Sequence, residues 1–234
     1  MRSPDGASTS STSTARNRPR DALGGLYGIA GADPGPDGRL RDPLDVVTAL
    51  CGGGASTVQL RLKGVDDRTL LSVAERALRI CRDVGVALVI NDRADVCALV
   101  GADGVHLGWD DLPPEAARDV VGDAWVGVST HDPAELARAL AAGPDYVGYG
   151  PVWESPTKEG LRDARGLQAL AAIVAGAGQT PVVAIGGITE PARVARVMRA
   201  GAASAAVLSA VSGAADMREA TRRLAQAAQT GGSG

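Results

Sequence analysis

The chain has 234 residues, of which 45% are hydrophobic and 22% are charged, and its formal net charge is −3. This length fits one domain or one large α/β barrel, and the acidic balance argues against a nucleic-acid-coating protein, which needs a basic surface. No apolar run is long enough to span a membrane, and the three cysteines show no C-x-x-C spacing. We therefore expect a cytoplasmic protein with reduced thiols and with neither a membrane nor a nucleic acid as its partner.

The two ends of the chain have the composition of disordered segments. Residues 1–20 are rich in Ser, Thr and Arg and contain no apolar run, so they cannot bury a core and do not form a secretory signal. An organelle transit peptide is a less favoured interpretation of this tail. Residues 231–234 read Gly-Gly-Ser-Gly, which is typical of a flexible terminus. The predicted catalytic domain therefore occupies residues 21–230.

Eight short apolar runs follow one another through this domain, each bounded by Gly, Pro, Asp or Asn. They lie at residues 26–30, 57–62, 86–90, 104–107, 124–128, 146–149, 181–185 and 205–208. Most are apolar on both faces, as buried parallel strands are. Amphipathic stretches separate them; at 66–84, for example, apolar side chains recur with the period of a helix. Eight strands, each followed by a helix, predict an α/β protein with a single (β/α)8 TIM barrel.

In this fold the functional residues are expected at the carboxyl ends of the strands. The second run and the residue after it contain Gln59, Arg61 and Lys63, which a period of two places on one face of the predicted strand. Cations facing a barrel interior need a ligand or counter-charges. An anionic ligand is the favoured interpretation, and an internal layer of ion pairs is the alternative. Lys63 and Lys158 are the only lysines beside 22 arginines, which indicates positions where a compact ammonium is needed.

Carboxylates follow the third and fourth runs. Asp92 comes directly after the third run, and Asp110 and Asp111 follow the fourth. Two carboxylates beside a phosphate are the usual way in which proteins hold Mg²⁺, so Asp92 with one of the other two predicts a metal–diphosphate site. The alternative is structural: Asp92 would cap a helix or pair with Arg93, and Asp111 would cap the next helix.

Polar residues and glycines follow the later runs. Ser129 lies two residues before His131, but no nucleophile elbow surrounds it, so we predict that Ser129 hydrogen-bonds a substrate and that His131 only precedes a helix cap. His106, within the fourth run, is interpreted as a structural histidine. Two further groups indicate phosphate binding: a loop of hydroxyls and a cation, and a cradle of glycines and amides after the last two strands. The loop contains Ser155, Thr157 and Lys158, and the cradle contains Gly186, Gly187, Leu208 and Ser209.

These residues form a series of motifs. The series is Gln59-x-Arg61-x-Lys63, Ile90-Asn91-Asp92-Arg93, Ala102-Asp103-Gly104-Val105-His106-Leu107-Gly108, Gly127-Val128-Ser129-Thr130, Gly150-Pro151, Ser155-x-Thr157-Lys158 and Ala184-Ile185-Gly186-Gly187-Ile188. With these motifs the chain resembles the thiamine-phosphate synthase (thiamine-phosphate pyrophosphorylase) family from about residue 23 to its last helix.

The resemblance implies a transferase that joins 4-amino-2-methyl-5-pyrimidinylmethyl diphosphate to a thiazole phosphate, giving thiamine phosphate and diphosphate by a dissociative, Mg²⁺-assisted substitution. It places the catalytic roles on Arg61, Lys63, Ser129 and Lys158. The pyrimidine-diphosphate contacts fall on Gln59, Arg61, Lys63, Asn91, Ser129 and Lys158, the Mg²⁺ carboxylates on Asp92 and Asp111, and the thiazole-phosphate contacts on Ser155, Thr157, Gly187, Leu208 and Ser209.

The chain departs from the family pattern at a few positions. The family usually has Gln where Trp109 stands, beside the predicted metal loop, and often has Asp-Gly where Ala203 and Ser204 precede the last strand. Two other functions are compatible with the barrel: a thiazole tautomerase, and a non-catalytic regulator that binds a phosphate ligand. Neither needs the cations of the second strand together with the paired aspartates, so both are less favoured.

Overall fold

The computed structural model describes residues 23–154 and 164–232. In chain order the elements are β1 (Gly25–Ala30), α1 (Pro43–Gly53), β2 (Thr57–Leu60), α2 (Asp67–Asp83), β3 (Ala87–Asn91), α3 (Ala94–Val100), β4 (Gly104–Leu107), α4 (Pro114–Val121), β5 (Trp125–Thr130), α5 (Pro133–Ala141), β6 (Tyr146–Tyr149), α6 (Gly166–Ala177), β7 (Val182–Ala184), α7 (Pro191–Arg199), β8 (Ser204–Val207), α8 (Ser209–Ser212) and α9 (Met217–Gly231).

The strands form a closed parallel barrel. Each strand pairs with the next in the chain, and β8 pairs with β1. The predicted (β/α)8 barrel is thus confirmed, with strand boundaries that differ from the predicted ones by at most two residues. The predicted tail at 1–20 lies outside the described residues, as do 233 and 234. Helix α9 continues to Gly231, one residue beyond the predicted end of the domain.

Local signals in the sequence set the ends of several helices. The side chain of Asp66 accepts from the amide of Thr69 at the start of α2, and Asp132 accepts from Glu135 at the start of α5. Both satisfy amide groups that the first helical turn leaves without an intrahelical partner. Helix α3 ends at Gly101, whose φ of 71° lies in the left-handed region that glycine adopts without strain. The helices of the described residues include none with the length and apolar content that crossing a membrane requires.

Side chains alternate between two apolar layers. Outward-facing residues such as Leu60, Ile90 and Val128 pack beneath the helices in the main core. Inward-facing Tyr27 and Tyr146 pack within a smaller cluster of the barrel interior. Side chains therefore fill the interior, as they do in other barrels of this size. The side chains in the interior include two of the three tyrosines of the chain.

The predicted extent of β2 is wrong at its carboxyl end. The strand stops at Leu60, and although the amide of Arg61 still donates to the carbonyl of Ala30, Lys63 lies in the loop with its side chain 60% exposed. Of the three polar residues predicted on one face of this strand, only Gln59 belongs to it. Leaving the barrel at this point keeps the Lys63 ammonium hydrated, whereas burial without a partner would cost several kcal/mol.

Aspartates close the sheet at the opposite, amino-terminal end of the barrel. Asp103 donates its amide to the carbonyl of Leu88 and accepts from the amide of the same residue with its carboxylate. Asp145 makes the same pair of bonds with Val126, and its carboxylate also accepts from Arg118. These carboxylates complete backbone hydrogen bonds, which is a structural role.

Candidate active site

The predicted site residues that the structure describes lie at one end of the barrel, where the strands terminate. Gln59 is in β2, Asn91 is the last residue of β3, and Ser129 lies near the end of β5. Most of the others are in the loops that follow strands: Arg61, Lys63, Asp92, Asp111, Gly187 and Leu208. Ser209 is the first residue of the short helix α8 that follows β8. Ser155, Thr157 and Lys158 lie outside the described residues. The fold therefore places the described residues around one mouth.

Lys63, Asp92 and Asp111 form a charged cluster at this mouth. The Lys63 ammonium is 3.3 Å from Oδ2 of Asp92, and the carboxylates of Asp92 and Asp111 are close enough to hydrogen-bond. Asp111 also accepts from the amide of Gly108 at 2.7 Å. Desolvation raises the pKa of Asp111, and Asp92 raises it further. Two carboxylates thus lie close together, with the Lys63 ammonium beside Asp92.

The backbone of Asp92 supports this arrangement. Its φ of 63° lies in the left-handed region, which a non-glycine residue adopts at an energetic cost. Asp92 is the one non-glycine residue with positive φ in the described ranges 23–154 and 164–232. Its amide donates to the carbonyl of His106 on the neighbouring strand, which holds the residue at the strand end.

The cluster fits a hard divalent cation. Carboxylate oxygens are the ligands that Mg²⁺ prefers, and Mg²⁺ commonly takes one or two of them together with water and phosphate oxygens. The described residues contain no group of three or more His, Cys, Asp or Glu side chains that could enclose a metal ion. Asp110 is exposed, whereas Asp111 contacts Asp92.

The structural alternatives for these aspartates are wrong. Arg93 forms ion pairs with Asp67 and Asp95, at 2.6 and 2.7 Å, rather than with Asp92. Within the ranges 23–154 and 164–232, no side-chain hydrogen bond caps the start of α3 or α4. The residues at those cap positions are Arg93 and Pro113.

A third carboxylate at the mouth, Asp33, was missed by the sequence reasoning. It follows β1 and lies beside Arg61: a Cβ added to Gly31 would meet both the Asp33 carboxylate, at 2.7 Å, and the Arg61 carbonyl, at 2.9 Å. Desolvation raises the pKa of Asp33, and the nearby Arg61 charge opposes that shift. Its position three residues after the end of β1, in the loop that follows a strand, is the signal in the sequence that could have identified it.

A chain of hydrogen bonds crosses the barrel interior and reaches Ser129. Nε2 of Gln59 donates to the Tyr27 hydroxyl, which contacts the Tyr146 hydroxyl, and that hydroxyl contacts Nδ1 of His106. Nε2 of His106 is 3.0 Å from Oγ of Ser129. His106 thus has the hydrogen-bond partners that were expected of it, whereas the two tyrosines were not predicted to take part.

The histidine contact does not make Ser129 a nucleophile. In a nucleophilic triad a third group, commonly a carboxylate, orients the base, whereas Nδ1 of His106 meets a tyrosine hydroxyl. His131 lies next to the start of α5 with Nδ1 2.7 Å from the carboxylate of Glu135. We therefore retain the prediction that Ser129 hydrogen-bonds a substrate.

The glycines after β7 have a packing role. Gly186 and Gly187 have φ values of 98° and 64°, and a Cβ on Gly187 would lie 2.6 Å from both the Glu154 carbonyl oxygen and Cβ of Trp153. The amide of Trp153 donates to the Gly186 carbonyl. A side chain at Gly187 would therefore displace the loop after β6.

Trp109, the departure beside the metal loop, lies against α5. The guanidinium of Arg138 is 4.8 Å from the centroid of its ring, a cation–π distance, and the residue is 42% exposed. This contact links the loop between β4 and α4 to α5.

Comparison with known proteins gives a consistent result. The family profile described as thiamine monophosphate synthase matches residues 26–211. The thiamine-phosphate synthase of Anaeromyxobacter dehalogenans is 48% identical over 214 residues, or 91% of each chain. That of Thermus thermophilus is 43% identical over 202 residues, covering 86% of this chain and 96% of the relative.

A solved structure of thiamine phosphate pyrophosphorylase from Pyrococcus furiosus superposes with a TM-score of 0.80 at 32% identity. The match covers 91% of this chain and 98% of that one. The similarity therefore extends over the whole barrel and includes the strand ends that form the mouth.

Proposed function

The chain belongs to the thiamine monophosphate synthase family, and from that premise we propose that its mouth joins 4-amino-2-methyl-5-pyrimidinylmethyl diphosphate to a thiazole phosphate. The products are thiamine phosphate and diphosphate. Membership of this family makes the protein a transferase of thiamine biosynthesis. We propose in addition the identity of the two substrates, the use of Mg²⁺, the order of bond breaking and a cytoplasmic location.

The observation that carries the proposal is the cluster of Lys63, Asp92 and Asp111. Cationic and anionic side chains at one mouth suit a diphosphate that arrives with a divalent cation, since the cation balances both the carboxylates and the phosphate oxygens. A thiazole tautomerase would act on the thiazole half alone and would have no use for this cluster. A non-catalytic regulator would have no need to stabilise a leaving group.

The residues present fit Mg²⁺, and Asp92 and Asp111 would hold it. When bound, Mg²⁺ supplies positive charge that stabilises the departing diphosphate. Arg61 and Lys63 add charge from the loop after β2, and Lys158, outside the described residues, would add more from the loop after β6. Charge placed beforehand where the leaving group becomes more negative lowers the barrier, because it needs no reorganisation during the reaction.

In the proposed dissociative reaction, the bond between the methylene carbon and the diphosphate oxygen breaks first, and both electrons leave with diphosphate. The amino group of the pyrimidine ring stabilises the methylene cation. The lone pair of the thiazole nitrogen then forms the new carbon–nitrogen bond and leaves a thiazolium. No proton transfer and no covalent nucleophile are needed.

The remaining residues would bind and orient the two reactants. Gln59, Asn91 and Ser129 lie on strands β2, β3 and β5 and would hold the pyrimidine half. Gly187, Leu208 and Ser209 follow β7 and β8 and would bind the thiazole phosphate together with Ser155 and Thr157, which lie outside the described residues. Holding both reactants in line replaces an encounter in solution by a reaction between bound partners.

The direct test is to incubate the purified protein with both substrates, with Mg²⁺ or with EDTA, and to measure thiamine phosphate. Formation that depends on both substrates and on Mg²⁺ would support the proposal. No product under any condition would overturn it. Rearrangement of the thiazole alone would identify a tautomerase.

Calorimetry can then separate the two halves of the site. Arg61→Ala should weaken binding of an unreactive pyrimidine-diphosphate analogue and leave thiazole-phosphate binding nearly unchanged. Ser209→Asp should do the reverse, because it places a negative charge beside the predicted phosphate position. Ser209 is preferable to Gly187 for this test, since a side chain at Gly187 would disturb the loop after β6. If both variants weaken both ligands equally, the assignment of the two halves is wrong.

A further inference from the structure

The chain of hydrogen bonds in the barrel interior joins two of the predicted substrate contacts. Its five members, in order, are Gln59, Tyr27, Tyr146, His106 and Ser129. The successive distances are 3.0, 3.1, 3.1 and 3.0 Å. The terminal residues lie at the mouth, on β2 and β5, whereas the middle residues come from β1, β6 and β4. The proposed reaction assigns no role to these three middle residues.

The rings of Tyr27, Tyr146 and His106 are tightly packed in the barrel interior. Tyr27 is 2% exposed and Tyr146 is not exposed at all. A Cβ added to Gly127 would lie 2.1 Å from Cζ of the Tyr146 ring, and one added to Gly148 would lie 3.0 Å from Cε1 of His106. The rings of His106 and Tyr146 stack with centroids 5.5 Å apart. The absence of side chains at the two glycines therefore creates the space that the hydrogen-bonded rings occupy.

The order of donors and acceptors gives this chain of hydrogen bonds a direction. Nε2 of an amide can only donate, so the hydroxyl of Tyr27 accepts from Gln59. Within the described part of the chain, the other hydrogen-bond partner of Tyr27 is Tyr146, so the Tyr27 proton points there. The hydroxyl of Tyr146 already accepts that proton, and its own proton points to Nδ1 of His106. Burial raises the pKa of both phenols, so both keep their protons.

The other direction is unfavourable. If Nδ1 of His106 carried a proton, the Tyr146 hydroxyl would receive protons from both neighbours, and its own proton would be buried without an acceptor. Burying an unpaired polar group costs about 1–3 kcal/mol. The donation from the Gln59 amide thus favours the same proton position on His106, three links away, as the Tyr146 hydroxyl does by donating to Nδ1.

We propose that this chain fixes His106 as the neutral tautomer with its proton on Nε2, and that His106 thereby holds Ser129 with its hydroxyl proton directed at the pyrimidine substrate. Nε2–H of His106 donates to Oγ of Ser129. Ser129 is then a donor, and the substrate atom beside it must be a hydrogen-bond acceptor. Tyr27, Tyr146 and His106 are positioning residues that act through Ser129. The role of Ser129 towards the substrate depends on the proposed function, whereas the tautomer of His106 does not.

The tautomer can be measured directly by NMR. The chain has two histidines, His106 and His131, so nitrogen-15 labelling of histidine gives two imidazole patterns in the full-length protein, and a His131→Gln variant assigns them. At neutral pH we expect His106 with a proton on Nε2 and a bare Nδ1. A proton on Nδ1, whether in the other neutral tautomer or in the imidazolium, would overturn the proposal.

Three phenylalanine variants test the link to the tyrosines. Tyr146→Phe removes the donor to Nδ1 and keeps the ring, so the strong preference of His106 for one tautomer should be lost. Tyr149→Phe is the matched control, because Tyr149 lies on the same strand but packs in the layer between barrel and helices. In Tyr27→Phe the Tyr146 proton still has His106 as its acceptor, and the tautomer should remain. An unchanged His106 spectrum in Tyr146→Phe would contradict the proposal; should that variant not fold, the parent and Tyr27→Phe spectra decide.

Kinetics tests whether His106 acts through Ser129. Tyr146→Phe should raise KM for the pyrimidine diphosphate about tenfold, the effect of one oriented hydrogen bond, and leave KM for the thiazole phosphate unchanged. In a Ser129→Ala background, Tyr146→Phe should have no further effect. Equal, additive losses towards both substrates would overturn the link to Ser129. If the parent makes no thiamine phosphate, the proposed function fails while the NMR result still decides the tautomer.

Discussion

The two ends of the barrel use aspartate in opposite ways. At the amino-terminal end, Asp103 and Asp145 each bond to both the amide and the carbonyl of one residue on the preceding strand. At the carboxyl-terminal end, Asp92 and Asp111 face each other. The first pair completes the hydrogen bonds of the sheet and stabilises the fold. The second pair places like charges together in a partly desolvated place, which is unfavourable, and the Lys63 ammonium beside Asp92 offsets part of that cost.

The mouth also contains a strained backbone conformation, at Asp92. The left-handed φ of Asp92 costs about 1–3 kcal/mol for a non-glycine residue, although aspartate tolerates it better than most. Strain that persists in a folded protein must be offset by the surrounding structure, and such strain is typical of functional sites. The comparison indicates that the amino-terminal end serves stability and the mouth serves the reaction.

The largest effect is expected at Asp92. Asp92→Asn keeps a side chain that tolerates left-handed φ but removes the charge, so turnover should fall about 10²–10³-fold, while stability is retained. Steady-state rates at saturating Mg²⁺ and urea unfolding measure the two properties. The matched control is Asp110→Asn at the exposed neighbour, which should be nearly as active as the parent. Full activity of Asp92→Asn in EDTA would contradict the metal assignment.

At the other end, Asp145→Ala should affect stability rather than the reaction. It leaves the amide of Val126 and the guanidinium of Arg118 without this carboxylate, so the free energy of unfolding should fall by about 2 kcal/mol. Asp119→Ala, on the exposed face of α4, is the control and should change it by less than about 0.5 kcal/mol. If Asp145→Ala folds normally but lowers kcat as strongly as Asp92→Asn, the division between the two ends is wrong.

Lys63 tests whether the mouth needs a compact cation. Lys63→Arg retains the charge but adds bulk and a planar group next to Asp92, so kcat should fall about tenfold with little change in stability. Lys158→Arg should behave in the same way if Lys158 binds diphosphate. Parental activity in both variants would show that the scarcity of lysine in this chain carries no functional information.

Ala203 offers a way to extend the pattern of the amino-terminal end. Its amide donates to the carbonyl of Val182, as the amides of Asp103 and Asp145 do on their own neighbouring strands, but it has no carboxylate to accept the Val182 amide. Ala203→Asp should supply that acceptor and raise the free energy of unfolding by about 1 kcal/mol, with unchanged kcat. Ala200→Asp, at the end of α7, is the comparison and should not be stabilising. A loss of stability in Ala203→Asp would show that the pattern does not transfer.

The smallest effect is expected for the stability of Asp111→Asn. Burial raises the pKa of Asp111 in the folded state, so its ionised form at neutral pH opposes folding, and stability rises as the pH falls through that raised pKa. Replacing the carboxylate should therefore increase the unfolding midpoint slightly without Mg²⁺ and reduce its dependence on acidic pH. Denaturant titrations at several pH values measure this shift. A clear loss of stability, like that expected for Asp145→Ala, would mean that the two ends do not differ.

The sequence was sufficient for the barrel and for most of its mouth. The chain alternates apolar runs of strand length with amphipathic stretches of helix length. Few folds bury the apolar faces of such alternating strands and helices, so the number and order of the elements predict the eight-stranded barrel. The positions of Asp92 and Asp111 after strands followed from the same count. What periodicity could not give was the end of β2, because the cost of burying Lys63 depends on which groups surround it.

Tertiary structure alone decided which groups meet. The hydroxyls of Tyr27 and Tyr146 are 119 residues apart in the chain yet 3.1 Å apart in space, and Asp33 lies beside Arg61. A period of two assigns each residue to a face of its strand, but the partner across the interior depends on the stagger of the closed barrel and on where glycines leave room. Hydrogen bonds depend on separations of a few tenths of an ångström, which are determined when all eight strands pack together.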